Sequence, residues 1–330
     1  MHNRVFASIV KLDRFLLLLV IVVVLASQWP ARGPFALLAA DFSDAAIVLL
    51  FFIQGAKLSR QAIFSGIAAW RVHLIVVAFT FGLFPLLGLA ARSVADLWLN
   101  PQIGAGLVFL CLVPSTVQSS IAFTSMARGN VPAAVCSASA SSVIGVVLTP
   151  LMVAWLMSAG GTDSGVSVDS ISSIALKLLF PFLLGHLSRP LLVRFLDRHK
   201  AAVTAIDRGA ILSVVYVAFS AAVVQGLWTR YSAADLVMAS LICSIILAIA
   251  LIGTTALSRL LGFSREDEIT IVFCGSKKSL ASGVPIASAI FPVAMVGPLI
   301  LPLMLFHQIQ LMACVVIAQK YAKRPLDRPC

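Results

Sequence analysis

Long apolar runs separated by short polar stretches dominate the 330-residue chain. A helix that crosses a bilayer needs about 20 mainly apolar residues. On that measure the pattern predicts ten spans: 15–30, 42–57, 67–90, 101–127, 131–156, 171–188, 208–228, 234–260, 269–291 and 294–319. They are numbered here in chain order as spans 1 to 10. The runs are continuous and lack the in–out alternation of a barrel strand, which excludes a transmembrane β-barrel. The expected fold class is an all-α polytopic membrane protein.

Composition agrees with the pattern. Hydrophobic residues make up 60% of the chain and charged ones 11%, and the mean hydropathy is +1.04. Soluble domains carry about 25% charged residues, so a soluble enzyme, a disordered chain and a coiled coil are excluded. Charge adds orientation. Lys and Arg number 24 against 13 Asp and Glu, a net charge of +11. With the N-terminus inside, 17 of the 24 basic residues fall on inside segments. Three (Arg32, Arg92, Arg230) fall outside, and four (Arg71, Lys177, Lys277, Lys278) lie within or beside spans. This asymmetry predicts a multi-pass protein of the cell membrane with both termini cytoplasmic. The basic excess is then topological and gives no nucleic-acid footprint; the partners expected are the lipid bilayer and a small solute. No oligomeric state is read from the sequence. Arg4, Lys11 and Arg14 before span 1 resemble the start of a signal peptide, but cleavage would leave nine spans, so span 1 is kept. The six cysteines form no CxxC pair and read as packing residues. The five histidines form no i, i+4 pair; His73, His186 and His307 read as packed or interfacial.

Ten spans divide into five plus five. An odd number per half inverts the second half relative to the first, as in many secondary transporters. The two repeats would be 1–160 and 161–330, joined at the polar stretch from Gly160 to Gly165. Spans 4 and 9 then correspond. Gln118 and Lys277, Ser120 and Ser279, and Ala122 and Ala281 are each 159 positions apart. A weaker echo relates Gly145 to Met152 with Gly297 to Met304, 152 positions on. Both spans carry a polar cluster at mid-depth, where polar groups are expensive and face a cavity or another helix. In span 4 it is Ser115, Thr116, Gln118, Ser119 and Ser120 after Pro114. In span 9 it is Cys274, Gly275, Ser276, Lys277, Lys278, Ser279 and Ser282. Pro114 removes a backbone donor and Gly275 loosens the helix, so both spans are expected to break. Paired breaks in corresponding places point to a transporter's binding site. Isolated polar residues such as Gln54, Thr80 and Thr149 read instead as interhelical hydrogen-bonders.

Lys277 and Lys278 are the sharpest feature. Consecutive helix positions point about 100° apart, so both cannot snorkel to one interface. No carboxylate lies mid-span. Their expected partners are backbone carbonyls at the C-terminal end of a broken half-helix, where the dipole favours a cation, or an anionic substrate. Gly275-Ser276-Lys277-Lys278-Ser279 lacks the glycines of a phosphate-binding loop. Ser279 or Ser282 with Lys277 or His307 lacks a nucleophile elbow. No enzyme is expected.

At these residues the chain resembles the bile acid:sodium symporter family, in its divergent bacterial-type ten-helix branch. The resemblance runs from Phe51–Leu58 in span 2 to span 10. It is most specific over Ser119–Thr124, Ala127–Asn130 and Phe273–Pro285. It implies two inverted five-helix repeats, a panel of spans 1, 2, 6 and 7, and a core of spans 3–5 and 8–10. Spans 4 and 9 would be unwound and cross in the core, and the cargo would be organic anions moved with sodium. Carried over residue by residue, it implies sodium ligands at Ser119, Ser120, Ser137 and Ser141, with Ser142 and Thr80 near the site. The departures are specific. The family's Ser-Asn pair is Ser119-Ser120 here. Its helix 9 glutamate falls on Phe273 or Val272, and its glutamine on Lys277 or Ser276, depending on register. A hard cation wants oxygen ligands and a compensating negative charge. Here the carboxylate is gone and a positive charge has arrived, which argues for a lysine ammonium in the sodium position.

The sequence therefore predicts a secondary active transporter of a small, anionic organic solute. Gln118, Ser119, Ser120 and Thr124 would face Ser276, Lys277, Lys278, Ser279 and Ser282 across the site. Sodium or a proton is the candidate coupling ion, and no cofactor is expected. The competing reading is a non-transporting membrane sensor or regulator of ion homeostasis.

Overall fold

The computed structural model describes residues 14–57, 67–157 and 168–323. The junction at 160–165 lies outside the described residues, as do the basic residues Arg4, Lys11, Arg60, Arg324 and Arg328. The protein is all-helical, with no strand among the described residues. The helices are α1 (Arg14–Gln28), α2 (Gly33–Lys57), α3 (Trp70–Ala95), α4 (Pro101–Leu112), α5 (Gln118–Met126), α6 (Val131–Met157), α7 (Val168–Arg198), α8 (Lys200–Val224), α9 (Ala233–Leu260), α10 (Arg265–Gly275), α11 (Leu280–Ile290) and α12 (Val293–Lys323). Among the described residues, seven helices are long and apolar enough to cross a membrane.

Local chemistry sets the helix ends. Asn100 caps α4 by accepting from Gln102 N, and Pro101 fills the first position, where no donor is needed. Asn130 caps α6 on Ala133 N. Ser232 and Asp235 form a capping box on α9. Ser264 caps α10, whose first turn carries Glu266, Asp267 and Glu268 against the dipole. α3 is continuous but widens to a π-turn at Phe79–Leu83.

Spans 4 and 9 are each split. α4 stops at Leu112 because a residue before proline is pushed out of the helical region; Val113, before Pro114, is extended (φ −75°, ψ 154°). α10 stops at Gly275, and the chain stays irregular until Ser279 caps α11 by accepting from Ser282 N. The remaining spans appear as unbroken helices. Three depart from expectation at their ends. α2 begins at Gly33 rather than 42, because Asp41 and Asp44 are exposed and do not interrupt it. α7 runs on to Arg198 rather than 188, held in part by Arg189 Nη1 donating to Ala56 O at 2.9 Å. α8 begins at Lys200 rather than 208.

The helices pack in two groups. α2 lies against α7 and α8, and α8 also against α1. α2 and α7 meet at two glycines. A Cβ on Gly55 would stand 1.9 Å from Phe182 O, and one on Gly185 would stand 1.9 Å from Phe52 O. Small residues that admit backbone-to-backbone contact are the usual means of membrane helix association. The second group comprises α3–α6 and α9–α12. α8 touches it through α11 and α12, the latter as extensively as it touches α1 or α2, and α7 through α6 and α11. Large apolar side chains such as Leu37, Leu191 and Leu260 are exposed on the outside, which in a chain this hydrophobic is lipid-facing surface. All five tryptophans (Trp29, Trp70, Trp98, Trp155, Trp228) are exposed and lie at or beside helix ends, the placement of an interfacial aromatic belt.

Candidate functional site

The two breaks lie against each other. Ser279 N donates to Pro114 O at 2.8 Å, which ties them directly. Gly145 of α6 supports the contact; a Cβ there would stand 2.5 Å from Pro114 Cβ.

A helix C-terminus leaves carbonyls without intrahelical donors, and in a membrane interior each needs a partner. At the end of α4 each carbonyl from Cys111 to Pro114 has a donor. Lys278 Nζ donates to Cys111 O (2.8 Å) and Val113 O (2.9 Å), and to Thr80 O of the α3 π-turn (2.8 Å). Leu112 O accepts from Thr149 Oγ1 at 2.9 Å, and Pro114 O is taken by Ser279. The end of α10 is served reciprocally. Ser120 Oγ donates to Phe273 O at 2.9 Å and Ser115 Oγ to Cys274 O at 2.6 Å. Ser276 Oγ donates to Val272 O of its own helix at 2.6 Å. Each broken helix is thus closed by side chains of the other.

The two lysines differ. Both are fully buried. Lys278 spends all three ammonium donors on carbonyls, with its Nζ 4.2 Å from the Phe84 ring centroid. Lys277 Nζ donates to Ser119 O at 3.0 Å and otherwise faces Phe123 and Phe273, 3.9 and 5.3 Å to the centroids. A cation over aromatic faces is attracted by their quadrupoles, so Lys277 is held by one carbonyl and two rings. Gln310, buried in α12, clamps the backbone of Lys278. Its Oε1 accepts from Lys278 N and its Nε2 donates to Lys278 O, both at 2.9 Å.

In front of the crossing lies a cavity of about 290 Å³. Thr116, Gln118, Ser119, Ser279 and Ser282 of the crossing line one wall, with Ser142 of α6 beside them. Lys57 of α2 and Asp207 and Arg208 of α8 line the other, and His307 of α12 also borders it. Lys57 is ion-paired with Asp207. Arg208 has no ion pair among the described residues; its guanidinium lies 5.4 Å from the Phe15 ring centroid.

The predicted residues therefore separate into two sets. Thr116, Gln118, Ser119, Ser142, Ser279 and Ser282 reach the cavity. Thr80, Ser115, Ser120, Thr124, Ser137, Ser141, Cys274, Gly275, Ser276, Lys277 and Lys278 do not line it. Ser141 Oγ accepts from Ser115 N at 3.0 Å, and Ser137 Oγ is 2.6 Å from His73 Nδ1. Ser119 Oγ is 2.7 Å from Thr116 Oγ1. The hydroxyls of Thr80 and Thr124 are buried without a partner. Of the two kinds of partner expected for the lysines, the geometry brings backbone carbonyls: Lys278 meets three and Lys277 one, beside two aromatic rings. Sequence reasoning also passed over residues that matter here. Lys57, Asp207 and Arg208 sit at span ends and read as loop charges. Gln310 is one of two amides, with Gln308, next to His307 in an otherwise apolar stretch of α12, a signal that was available.

An all-helical, multi-pass chain with paired helix breaks beside a cavity that charged and hydroxyl side chains border has the form of a membrane transporter. The comparisons with known proteins agree. Residues 13–323 match the SBF-like CPA transporter family. An uncharacterized protein of Pseudomonas aeruginosa is 54% identical over 315 residues, 96% of this chain and 94% of the relative. "Putative symporter YfeH" of Escherichia coli is 49% identical over 313 residues, 95% and 94% of the two chains. "Sodium/bile acid cotransporter 7" of Danio rerio is 27% identical over 271 residues, 81% and 80%. The chain belongs to the SBF-like CPA transporter family, related to the bile acid:sodium symporters. It is a multi-pass membrane transporter.

Proposed function

We propose that the protein is a secondary active transporter that carries a small organic anion by alternating access and does so without sodium. On this reading the ten spans form two inverted five-helix repeats, 1–160 and 161–330, with both termini cytoplasmic in the cell membrane. The panel is α1, α2, α7 and α8, the core is α3–α6 with α9–α12, and the core rocks against the panel around the cavity.

The observation that carries the anionic reading is Arg208. The cavity's other cation, Lys57, is neutralised by Asp207, so Arg208 leaves one uncompensated positive charge facing the solute space. A monoanion matches it. The volume lies near the lower end of ligand pockets, roughly 300–1,000 Å³, and favours a small molecule. The sodium-free reading rests on the oxygens a cation would need. Ser141 Oγ already accepts from Ser115 N, Ser120 turns its hydroxyl to Phe273 O, and Ser119 and Ser137 are paired with Thr116 and His73. The ammonium of Lys278 supplies a built-in monovalent cation in a cage of three carbonyls.

The test is uptake into proteoliposomes of benzenesulfonate and octanesulfonate beside their disulfonate counterparts, with sodium and pH gradients varied separately. Sulfonates stay ionised and do not leak across as neutral acids. Monosulfonate uptake that ignores sodium and falls at least tenfold in Arg208→Gln is the expected result. Uptake that requires sodium and is abolished by Ser119→Ala overturns the coupling reading. No uptake of any member overturns the small-organic-anion reading.

A further inference from the structure

His307 connects the cavity to the break in span 9. It borders the cavity, and its Nδ1 lies 2.8 Å from Gln310 Nε2. The orientation of that amide is fixed, because Oε1 accepts from Lys278 N and Nε2 donates to Lys278 O. The second hydrogen on Nε2 then points at His307, so Nδ1 must be the acceptor. The imidazole is neutral with its proton on Nε2.

Protonation of His307 places an N–H against the N–H of Gln310. Turning the amide over relieves that contact only by setting its NH2 against Lys278 N–H and leaving Lys278 O without a donor. A charged His307 and the closed clamp on Lys278 therefore exclude each other. We propose that His307 is a proton-binding site that opens the Gln310 clamp on the span 9 break, and that a proton taken up there accompanies the anion. The second half of this inference rests on the transporter reading above; the first half does not.

The groups facing His307 agree with joint loading. Across the cavity stand Lys57 of α2 and Asp207 and Arg208 of α8. Behind Gln310 stand Lys278 and, from α4, Cys111, whose carbonyl Lys278 holds. α9 adds Cys243, bonded to Pro302 O, while α5 and α11 carry no titratable side chain. Of the groups just named, Lys57, Arg208 and Lys278 outnumber Asp207, a net positive charge until an anion reaches Arg208. Bound anion favours the proton at His307, and by linkage the proton favours the anion to the same degree.

The test uses the full chain in detergent and in proteoliposomes. His307→Asn keeps an acceptor near the Nδ1 position and cannot be protonated. Neutral His307 belongs to the folded clamp, so stability is complete at high pH. Protonation costs the folded chain its clamp, so stability falls as pH falls. The wild-type melting temperature is expected to fall between pH 7 and pH 5 by about 3 °C more than that of His307→Asn. Parallel pH profiles overturn the proton site, as does a loss in His307→Asn that is equal at every pH. In the second arm, an inward proton gradient accelerates benzenesulfonate uptake several-fold in the wild type and not in His307→Asn. Gradient-driven uptake that survives the substitution overturns the coupling. Absence of uptake in the wild type overturns the organic-anion reading and leaves the melting result to decide the proton site.

Discussion

Lys277 and Lys278 look equivalent in the chain and are not equivalent in the protein. Lys278 satisfies three carbonyls that have no other donor, and an unsatisfied buried group costs about 1–3 kcal/mol. Removing the buried ammonium recovers part of that by ending its desolvation, but the three oxygens belong to three separate backbone positions and cannot pair with one another. Lys277 holds one carbonyl and fits between Phe123 and Phe273, a place where a thioether also packs well. Lys278→Met is therefore expected to lose the monodisperse, cooperatively melting protein, and Lys277→Met to keep it within a few degrees. Size-exclusion profiles and melts of both variants check this, and equal losses contradict it. The sequence placed both residues at the site, because polar groups at mid-depth announce themselves by cost alone. It could not assign their directions. Periodicity gives direction only along an unbroken helix, and both residues lie where the helix has ended.

The helical class and the two breaks were the legible elements. Pro114 acts through a local steric rule, and Gly275 stands where α10 stops, so the split positions could be read one residue at a time. Helix ends set by tertiary contacts could not. α7 continues past its apolar stretch because Arg189 finds Ala56 O on α2, a partner more than a hundred residues away. The α2–α7 contact was invisible for the same reason, since neither Gly55 nor Gly185 stands out among 20 glycines. Its chemistry is nonetheless strict. At Gly185 a methyl group would meet the backbone oxygen of Phe52, which cannot rotate away as a side chain can. Gly185→Ala is expected to cost about 1–3 kcal/mol as an overpacking change, and Gly55→Ala a similar amount. Gly209, on α8, has nothing within 4 Å of its would-be Cβ. Gly209→Ala should be neutral or stabilising by up to about 1 kcal/mol, because alanine is the better helix former. Thermal melts of the three variants decide it. Destabilisation at Gly209 equal to that at Gly185 would mean that the loss does not come from the close backbone contact between α2 and α7.

At the scale of the whole molecule, the cavity lies between the two helix groups, with Asp207 and Arg208 on one wall and the crossing on the other. This arrangement was not written in any one stretch of sequence, because Lys57, Asp207 and Ser279 meet only after three distant segments pack. It makes a definite statement about water. The face that carries the end of α2 and the start of α8 opens on the cavity, whereas Cys274 and Cys314 are buried behind the crossing. In a cysteine-free background, Ser282→Cys and Gln118→Cys should react with a membrane-impermeant maleimide added to that face. Cysteine retained only at 274 should react at least tenfold more slowly. If the groups rock about the crossing, Ser282→Cys must also become reactive from the opposite face, at a rate that follows turnover and slows when Arg208 is replaced by Gln. A static sensor needs no such second exposure. Labelling from one face only, at a rate indifferent to transported anion, would leave the cavity a vestibule and remove alternating access from the account.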